Sequence, residues 1–177
     1  MSEIDVSKCC LTHYPKEILS KQTRVTEKID ETIRKLVDKM ADIMIEHKGI
    51  GLAGPQAGVD LRIFIISLDG GKENLKVFIN PTVTPTGELD LIEEGCLSLP
   101  GIYTKVHRYQ KCKVTATDLD GNEFTEEAEG LYARALQHEN DHINGVTIAD
   151  KMGSAARLVH RKRLKKLFEE YQKTMKE

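Results

Sequence analysis

The residues best suited to chemistry are His138, Glu139 and His142, which form a His-Glu-x-x-His run. Side chains four residues apart share one face of a helix, so the two imidazoles can reach the same metal ion. Glu139 would then stay free to transfer protons. A catalytic metal of this kind usually has three protein ligands and one open position. Because the run supplies two, the third must come from elsewhere in the chain.

The segment around this run is predicted to be a helix from Leu131 to Asn144. Gly130 interrupts the chain before it, and Gly145 is a suitable C-cap after it. Residues at helical spacing on one face are Leu131, Ala135, His138 and His142. We therefore expect the metal-binding face to continue an apolar face that points into the protein. The run by itself also occurs on solvated helix faces, so it needs support from other residues.

Composition and charge describe an ordinary globular protein. The chain has 177 residues, 40% hydrophobic and 31% charged, with a net charge of −2. This charge argues against broad binding to nucleic acid. No apolar stretch approaches the ~20 residues that span a bilayer, and residues 1–15 lack a signal-peptide core. We expect a cytoplasmic protein with no membrane contact, in which the cysteines are thiols.

Periodicity and turn residues predict an α+β fold for a single domain, 1–177, with mostly antiparallel strands around a buried metal-binding helix. Regular helices do not separate the strands, so parallel βαβ units are not indicated. Glycines and prolines between 82 and 110 favour only short strands and turns there. The predicted elements are an N-terminal helix from Glu27 to His47 capped by Thr26, strands at Leu61–Leu68 and Leu75–Ile79, a hairpin of Lys113–Asp118 with Glu123–Ala128, and a C-terminal helix from Gly153 to Lys176.

A second chemical motif is Glu94-Gly95-Cys96-Leu97-Ser98. Cys96 lies in a turn-rich region, where it could be an inert buried thiol, a nucleophile or a metal ligand. With the two histidines it would complete an open tetrahedral site. The other cysteines carry no such context. Cys112 is predicted to be a small strand residue, and Cys9 and Cys10 receive no role.

A third motif is the glycine-rich stretch 49–58, which contains Gln56. It lacks the spacing of a dinucleotide site and the Gly-Lys-Ser/Thr of a P-loop, so alone it indicates a tight turn between a helix and a strand. The primary amide of Gln56 adds a donor that can stabilise an oxyanion.

Together these motifs resemble those of peptide deformylases, in the family's order and over nearly the whole chain. They run Gly49-Ile50-Gly51-Leu52-Ala53-Gly54-Pro55-Gln56, Glu94-Gly95-Cys96-Leu97-Ser98 and Gln137-His138-Glu139-Asn140-Asp141-His142. Gly54 departs from the family's usual alanine without removing a functional group. The resemblance implies a metal-dependent hydrolase that removes the N-formyl group from the first methionine of new polypeptides and releases formate.

The resemblance also implies roles for particular residues. Cys96, His138 and His142 would hold the metal, and Glu139 would move the proton from water to the leaving nitrogen. Gln56 and the Leu97 backbone N–H would stabilise the oxyanion. An extended peptide would add as a strand beside Ile50 and Gly51 on one side and the segment from Gly95 on the other. Candidates for the methionine pocket are Ile50, Ile92, Leu131 and Ala135, each of which could equally be core.

Cofactor and partners follow from the same resemblance. Fe²⁺ is expected as the native ion, with Zn²⁺, Ni²⁺ or Co²⁺ possible in preparations. Arg108 and Asp141 are candidates for orienting the ligands, although a surface charge is the simpler interpretation of Arg108. The basic residues of the C-terminal helix are either a solvated face or a ribosome-docking surface for an enzyme of nascent peptides. A metallopeptidase and a non-catalytic metal-binding module are the alternative functions.

Overall fold

Five strands form one sheet in which they lie in chain order, and every neighbouring pair is antiparallel. This computed structural model describes residues 4–175. The α+β class predicted from the sequence is confirmed. The strands are β1 Gly51–Ala53, β2 Ile63–Ile66, β3 Lys76–Gly95, β4 Tyr103–Thr117 and β5 Glu123–Glu129, and the helices are α1 Glu31–Glu46, α2 Gly130–Ile143 and α3 Ser154–Thr174.

Strand β2 separates two apolar layers, because successive side chains of a strand point to opposite faces. Ile63 and Ile65 belong to a cluster with the apolar side of α1. Phe64 and Ile66 belong to a second cluster with the apolar side of α2. All four side chains are buried. The helix that carries the His-Glu-x-x-His run is thus held against one face of the sheet, opposite α1.

The predicted N-terminal boundary of α1 is wrong by four residues. The helix begins at Glu31, and the side chain of Asp30, not Thr26, caps it by accepting from the backbone N–H groups of Thr32 and Ile33. Thr26 lies in the preceding extended segment, where it exchanges two hydrogen bonds with the side chain of Asn80. The apolar residues before Asp30 therefore lie in a non-helical segment that packs against the rest of the protein.

The largest error concerns residues 82–110, which contain most of the two longest strands, β3 and β4. Most of β3 is exposed, so no apolar alternation marks it as a strand. Its pairing with β2 ends at Ile79, which leaves the other edge of β3 free to accommodate Pro81 and Pro85. Register shifts between Ile79/Thr82 and Thr86/Leu89 absorb the irregular residues.

The remaining boundaries are close to those predicted. Helix α2 starts at Gly130, which has a positive φ of 59°, and Asn144 is its C-cap. The predicted burial of its metal-binding face is wrong at Leu131, which is 44% exposed because it lies in the first turn at the rim of a cleft. The predicted end of α3 at Lys176 lies outside the described residues, and the described helix ends at Thr174.

The cysteines outside the candidate site are thiols. Cys112 is a buried residue of β4, as predicted, and burial raises the pKa of its thiol to about 11. Cys9 packs against the core cluster of α1. No helix among residues 4–175 has the length and apolar character that crossing a membrane requires.

Candidate metal centre and active site

Three donor atoms converge beside α2. The Sγ of Cys96 lies 3.2 Å from the Nε2 of His142, which in turn lies 3.3 Å from the Nε2 of His138. All three atoms lie within 4.8 Å of one another. Cys96 lies 42 residues before His138 in the chain. The fold, and not the local sequence, therefore brings the sulfur to the two imidazoles.

Each donor is positioned by a different constraint. His138 and His142 are one helical turn apart on α2, which sets their imidazoles side by side. Cys96 is the first residue after β3, and its position follows from the pairing of Gly95 with Tyr103 across the β3–β4 hairpin. A methyl group at Gly95 would lie 2.8 Å from the Tyr103 ring, so glycine here lets that ring lie directly over the backbone of β3.

The donor set fits a divalent metal ion. Ligands at tetrahedral angles with metal–nitrogen and metal–sulfur distances of ~2.0 and ~2.3 Å are separated by roughly 3.3–3.6 Å. The separations of 3.2 and 3.3 Å approach that range. Burial, and then the neighbouring His138, lower the pKa of His142 well below its usual value, so its imidazole is neutral and has a lone pair to offer. One soft and two intermediate donors suit Fe²⁺, Co²⁺, Ni²⁺ or Zn²⁺.

Glu94 and Arg108 fix the orientation of His138. The Nδ1 of His138 lies 3.0 Å from Oε2 of Glu94, and Arg108 donates to both carboxylate oxygens of Glu94 at 2.9 Å. Arg108 also donates to Asp141, which forms an ion pair with Lys151 at 3.0 Å. Burial alone would raise the pKa of Glu94, but hydrogen bonds from His138 and Arg108 outweigh it and hold that pKa at about 2.

This network corrects the simpler interpretation of Arg108 as a surface charge. Its side chain is 2% exposed and lies between two carboxylates. From the sequence, Arg108 and Asp141 are candidates for orienting the ligands, whereas no role of its own is predicted for Glu94. The signal for Glu94 was its place directly before Gly95-Cys96, since a residue two positions before a ligand on a strand points to the same side.

Glu139 is buried next to the donor cluster. Its side chain belongs to the wall of the cleft, and its Oε2 has no hydrogen-bond partner among residues 4–175. Burial raises the pKa of its carboxyl to about 7. The α carbon of Gly51 lies so close that a methyl group there would stand 2.5 Å from Oε1. The carboxyl group is thus confined, unpaired and able to exchange a proton near neutral pH.

Two donors predicted for an oxyanion also lie at this cleft. The backbone N–H of Ala53 donates to Oε1 of Gln56 at 2.8 Å, which leaves the amide nitrogen of Gln56 directed to Sγ of Cys96 at 3.6 Å. Leu97 lines the cleft one residue beyond the sulfur. Within residues 4–175 its backbone N–H donates to no other backbone group.

The cleft has a volume of about 670 Å³ and brings most predicted site residues together. Cys96, His138 and Glu139 line it, while His142 lies behind them and is 1% exposed. Ile92 is not part of this cleft but of an adjoining hollow of about 460 Å³. The residues predicted for substrate contact that do line the cleft are Ile50, Gly51, Gly95, Leu131 and Ala135. Arg134, which sequence analysis did not single out, lines both cavities.

Comparison with known proteins decides the family. The sequence model of the polypeptide deformylase family matches residues 9–158. The chain belongs to the peptide deformylase family. It is 42% identical to a peptide deformylase of Pseudomonas aeruginosa over 157 residues, which cover 88% of this chain and 94% of that protein. It is 47% identical to peptide deformylase 1 of Clostridium perfringens over 135 residues, which cover 76% and 90% of the two chains.

Solved structures agree with this assignment. A crystal structure of a peptide deformylase from Legionella pneumophila superposes with a TM-score of 0.84 at 39% identity, over 92% of this chain and 95% of that one. A plant peptide deformylase gives 0.91 at 33% identity, over 98% and 96%. The protein is therefore a metal-dependent hydrolase that removes the N-formyl group from nascent N-formylmethionyl peptides, and the predicted family and activity are confirmed.

Proposed function

We propose that Cys96, His138 and His142 hold the metal ion of this deformylase, and that Glu139, Gln56 and Leu97 act on the formyl group beside it. The observation that carries the proposal is the convergence of one sulfur and two nitrogens within 4.8 Å, at the wall of a cleft that also contains the unpaired carboxyl group of Glu139. Fe²⁺ is the proposed native ion, and Zn²⁺, Ni²⁺ or Co²⁺ could replace it in preparations because the mixed donor set accepts each of them.

When bound, such an ion would lower the pKa of the attacking water and stabilise negative charge on the formyl oxygen. Glu139 takes the proton of the attacking water and passes it to the amide nitrogen, so that the peptide leaves as an amine. Burial suits this task, because it raises the pKa of the carboxyl to about 7. Its tight confinement against Gly51 keeps the carboxyl oxygen at one position during both transfers.

Gln56 and Leu97 stabilise the negative charge that develops on the formyl oxygen. The Gln56 amide is oriented in advance, since the Ala53 N–H occupies its oxygen and leaves its nitrogen to donate towards the sulfur of Cys96. The Leu97 N–H has no competing backbone acceptor within residues 4–175. Donors fixed before the reaction need no reorganisation as charge appears, and each is typically worth ~3–4 kcal/mol of barrier.

The peptide is proposed to bind in an extended conformation between two backbone segments of the cleft wall. Ile50 and Gly51 lie on one side, and Gly95 to Leu97 lie on the other. Hydrogen bonds to backbone alone accept many sequences, as an enzyme of nascent chains requires. The first side chain would contact Ile50, Leu131 and Ala135, while Ile92 borders the adjoining hollow.

Formate release from formyl-Met-Ala by wild type and Glu139→Gln tests these roles. We expect the variant to keep its metal, measured by elemental analysis, and to lose turnover by a factor of ~10²–10⁴. Loss of the metal from the variant would make Glu139 a ligand and refute its assignment. Cleavage of internal peptide bonds would instead favour a metallopeptidase, and metal binding without any turnover would favour a binding module.

We also propose that α3 docks on the ribosome near emerging nascent chains, which places the enzyme in the cytoplasm. Lys165 and Lys166 each have an acidic partner one turn away, at 3.6 and 3.8 Å, so part of the basic surface is balanced. Arg161 and Lys162 are exposed and could contact phosphates. Salt-sensitive cosedimentation with ribosomes that disappears on truncation at Gly153 would support docking, and unchanged cosedimentation would refute it.

Finally, residues 1–177 are proposed to act as one peptide-deformylase domain. Supporting this, the apolar clusters join all three helices to the sheet or to the segment after β3.

A further inference from the structure

Arg134 occupies an unexpected place on α2. It lies one helical turn before His138, on the wall of the cleft that holds the donor cluster. With Leu131 it also borders the adjoining hollow, so these two side chains separate the cavities of about 670 and 460 Å³. The other residues of α2 that line the cleft ahead of His138 are apolar. Binding the thioether side chain of methionine does not require a positive charge at this position.

Arg134 forms no ion pair within the described part of the chain. Between residues 4 and 175, no carboxylate oxygen lies within 4.0 Å of its guanidinium, and its side chain makes no hydrogen bond. Arg108, in contrast, is held by two carboxylates. Of the three glutamates that line the cleft, Glu94 pairs with Arg108 and His138, Glu139 is confined against Gly51, and Glu93 forms no ion pair with Arg134. The donors of Arg134 are therefore available to a ligand.

We propose that Arg134 is a specificity-determining residue that allows this deformylase to process peptides whose first residue is N-formylmethionine sulfoxide. The inference rests on the proposed function, in which the first side chain contacts Leu131 and Ala135. These residues flank Arg134 in sequence and line the same cleft. A thioether sulfur is a weak hydrogen-bond acceptor, whereas a sulfoxide oxygen is a polar acceptor that a guanidinium can bind.

The choice of sulfoxide follows from the substrate's chemistry. Every formylated nascent peptide begins with methionine, so a polar first side chain arises when the sulfur of that residue is oxidised. Oxidation keeps the length of the side chain and adds one oxygen, so the same pocket can accept both forms. Because Arg134 borders both cavities, its methylene groups can cover an unoxidised thioether while its charged end stays in contact with solvent. A dry, wholly apolar pocket would instead leave the sulfoxide oxygen without a partner.

The test compares kcat/KM for formyl-Met-Ala-Ser, its sulfoxide and its norleucine analogue. Wild type is expected to process the sulfoxide within about tenfold of the thioether. Arg134→Leu should lower the sulfoxide-to-thioether ratio roughly tenfold, mainly through KM, because a hydrogen bond to a charged group is lost. Arg134→Lys should restore part of the ratio. Arg24→Leu, which removes an exposed arginine that pairs with Asp60, is the matched control and should leave the ratio unchanged.

The outcomes separate this inference from the proposed function. If Arg134→Leu changes all three substrates equally, or wild type rejects the sulfoxide by more than about a hundredfold, the inference is overturned. If wild type fails to release formate from the thioether peptide, the proposed site itself fails. Should Arg134→Leu not fold, the inference is still tested by the sulfoxide-to-thioether ratio of kcat/KM in wild type and in Arg134→Lys. Norleucine should follow the thioether throughout, because it has no acceptor at the position of the sulfur.

Discussion

Gly51 touches the carboxyl group of Glu139. A methyl group on its α carbon would lie 2.5 Å from Oε1 and 2.9 Å from the carboxyl carbon, well inside van der Waals contact. Gly51 begins β1, the strand at one edge of the sheet, and Glu139 lies on α2. The edge strand therefore sets the position of the proton-transferring group as well as providing backbone for a peptide.

Gly51→Ala should lower kcat because the added methyl displaces the carboxyl group of Glu139. A misplacement of ~1 Å can cost roughly 10²-fold in rate. Steady-state kinetics on formyl-Met-Ala and a metal analysis measure the effect, and metal content should stay near that of wild type. Gly153→Ala, where an added methyl meets nothing within 4 Å, is the matched control. Equal kcat for both variants would contradict a positioning role for Gly51.

Gln56→Met should reduce kcat by roughly 10²–10³ with a smaller change in KM, because the amide donor acts on charge that develops in the transition state. The substitution also removes the acceptor of the Ala53 N–H, so the melting temperature should be measured alongside. A rise in KM at unchanged kcat would show that Gln56 binds the substrate and does not stabilise the oxyanion.

Arg108→Met should destabilise the protein by about 3–5 kcal/mol, since it leaves the buried carboxylate of Glu94 without its arginine, while Asp141 keeps only its ion pair with Lys151. Freed from Arg108, Glu94 would also hold His138 less firmly, and metal affinity should fall by roughly 10–100-fold. Urea unfolding and competition with a chelator measure the two effects. Lys21→Met, which removes an exposed ion pair with Glu17, should change the unfolding free energy by less than about 1 kcal/mol.

The donor residues could be predicted from sequence because their spacing encodes chemistry. His138 and His142 share a helix face by periodicity alone, and the resemblance to a family adds Cys96. The long strands β3 and β4 could not be predicted, since their stability comes from pairing with each other and not from an apolar pattern. The same limit hides Arg134, because its place between two cavities depends on how α2 sits against the hairpin.

The contacts around the metal-donor residues could also not be predicted from the sequence. The bidentate contact between Arg108 and Glu94 joins β4 to β3 diagonally across four register positions, since Asp90 pairs with Arg108 and Glu94 pairs with Thr104. Sequence alone gives no register for a hairpin with two irregular points. The burial of Arg108 could therefore be recognised only once the pairing of β3 with β4 was known.

Exchange of the metal should separate activity from oxygen sensitivity. The Fe²⁺ and Ni²⁺ forms, prepared anaerobically from chelator-treated protein, should both release formate, because Cys96, His138 and His142 provide donors that suit either ion. In air the Fe²⁺ form should lose activity faster, since an iron–thiolate site with an open position exposes both the ion and the sulfur of Cys96 to oxidation. Activity is followed over time with and without added reductant, and mass spectrometry reports the oxidation state of Cys96. Equal half-lives for the two forms would refute the expectation, while loss of activity with an unoxidised Cys96 would attribute the decay to the ion alone.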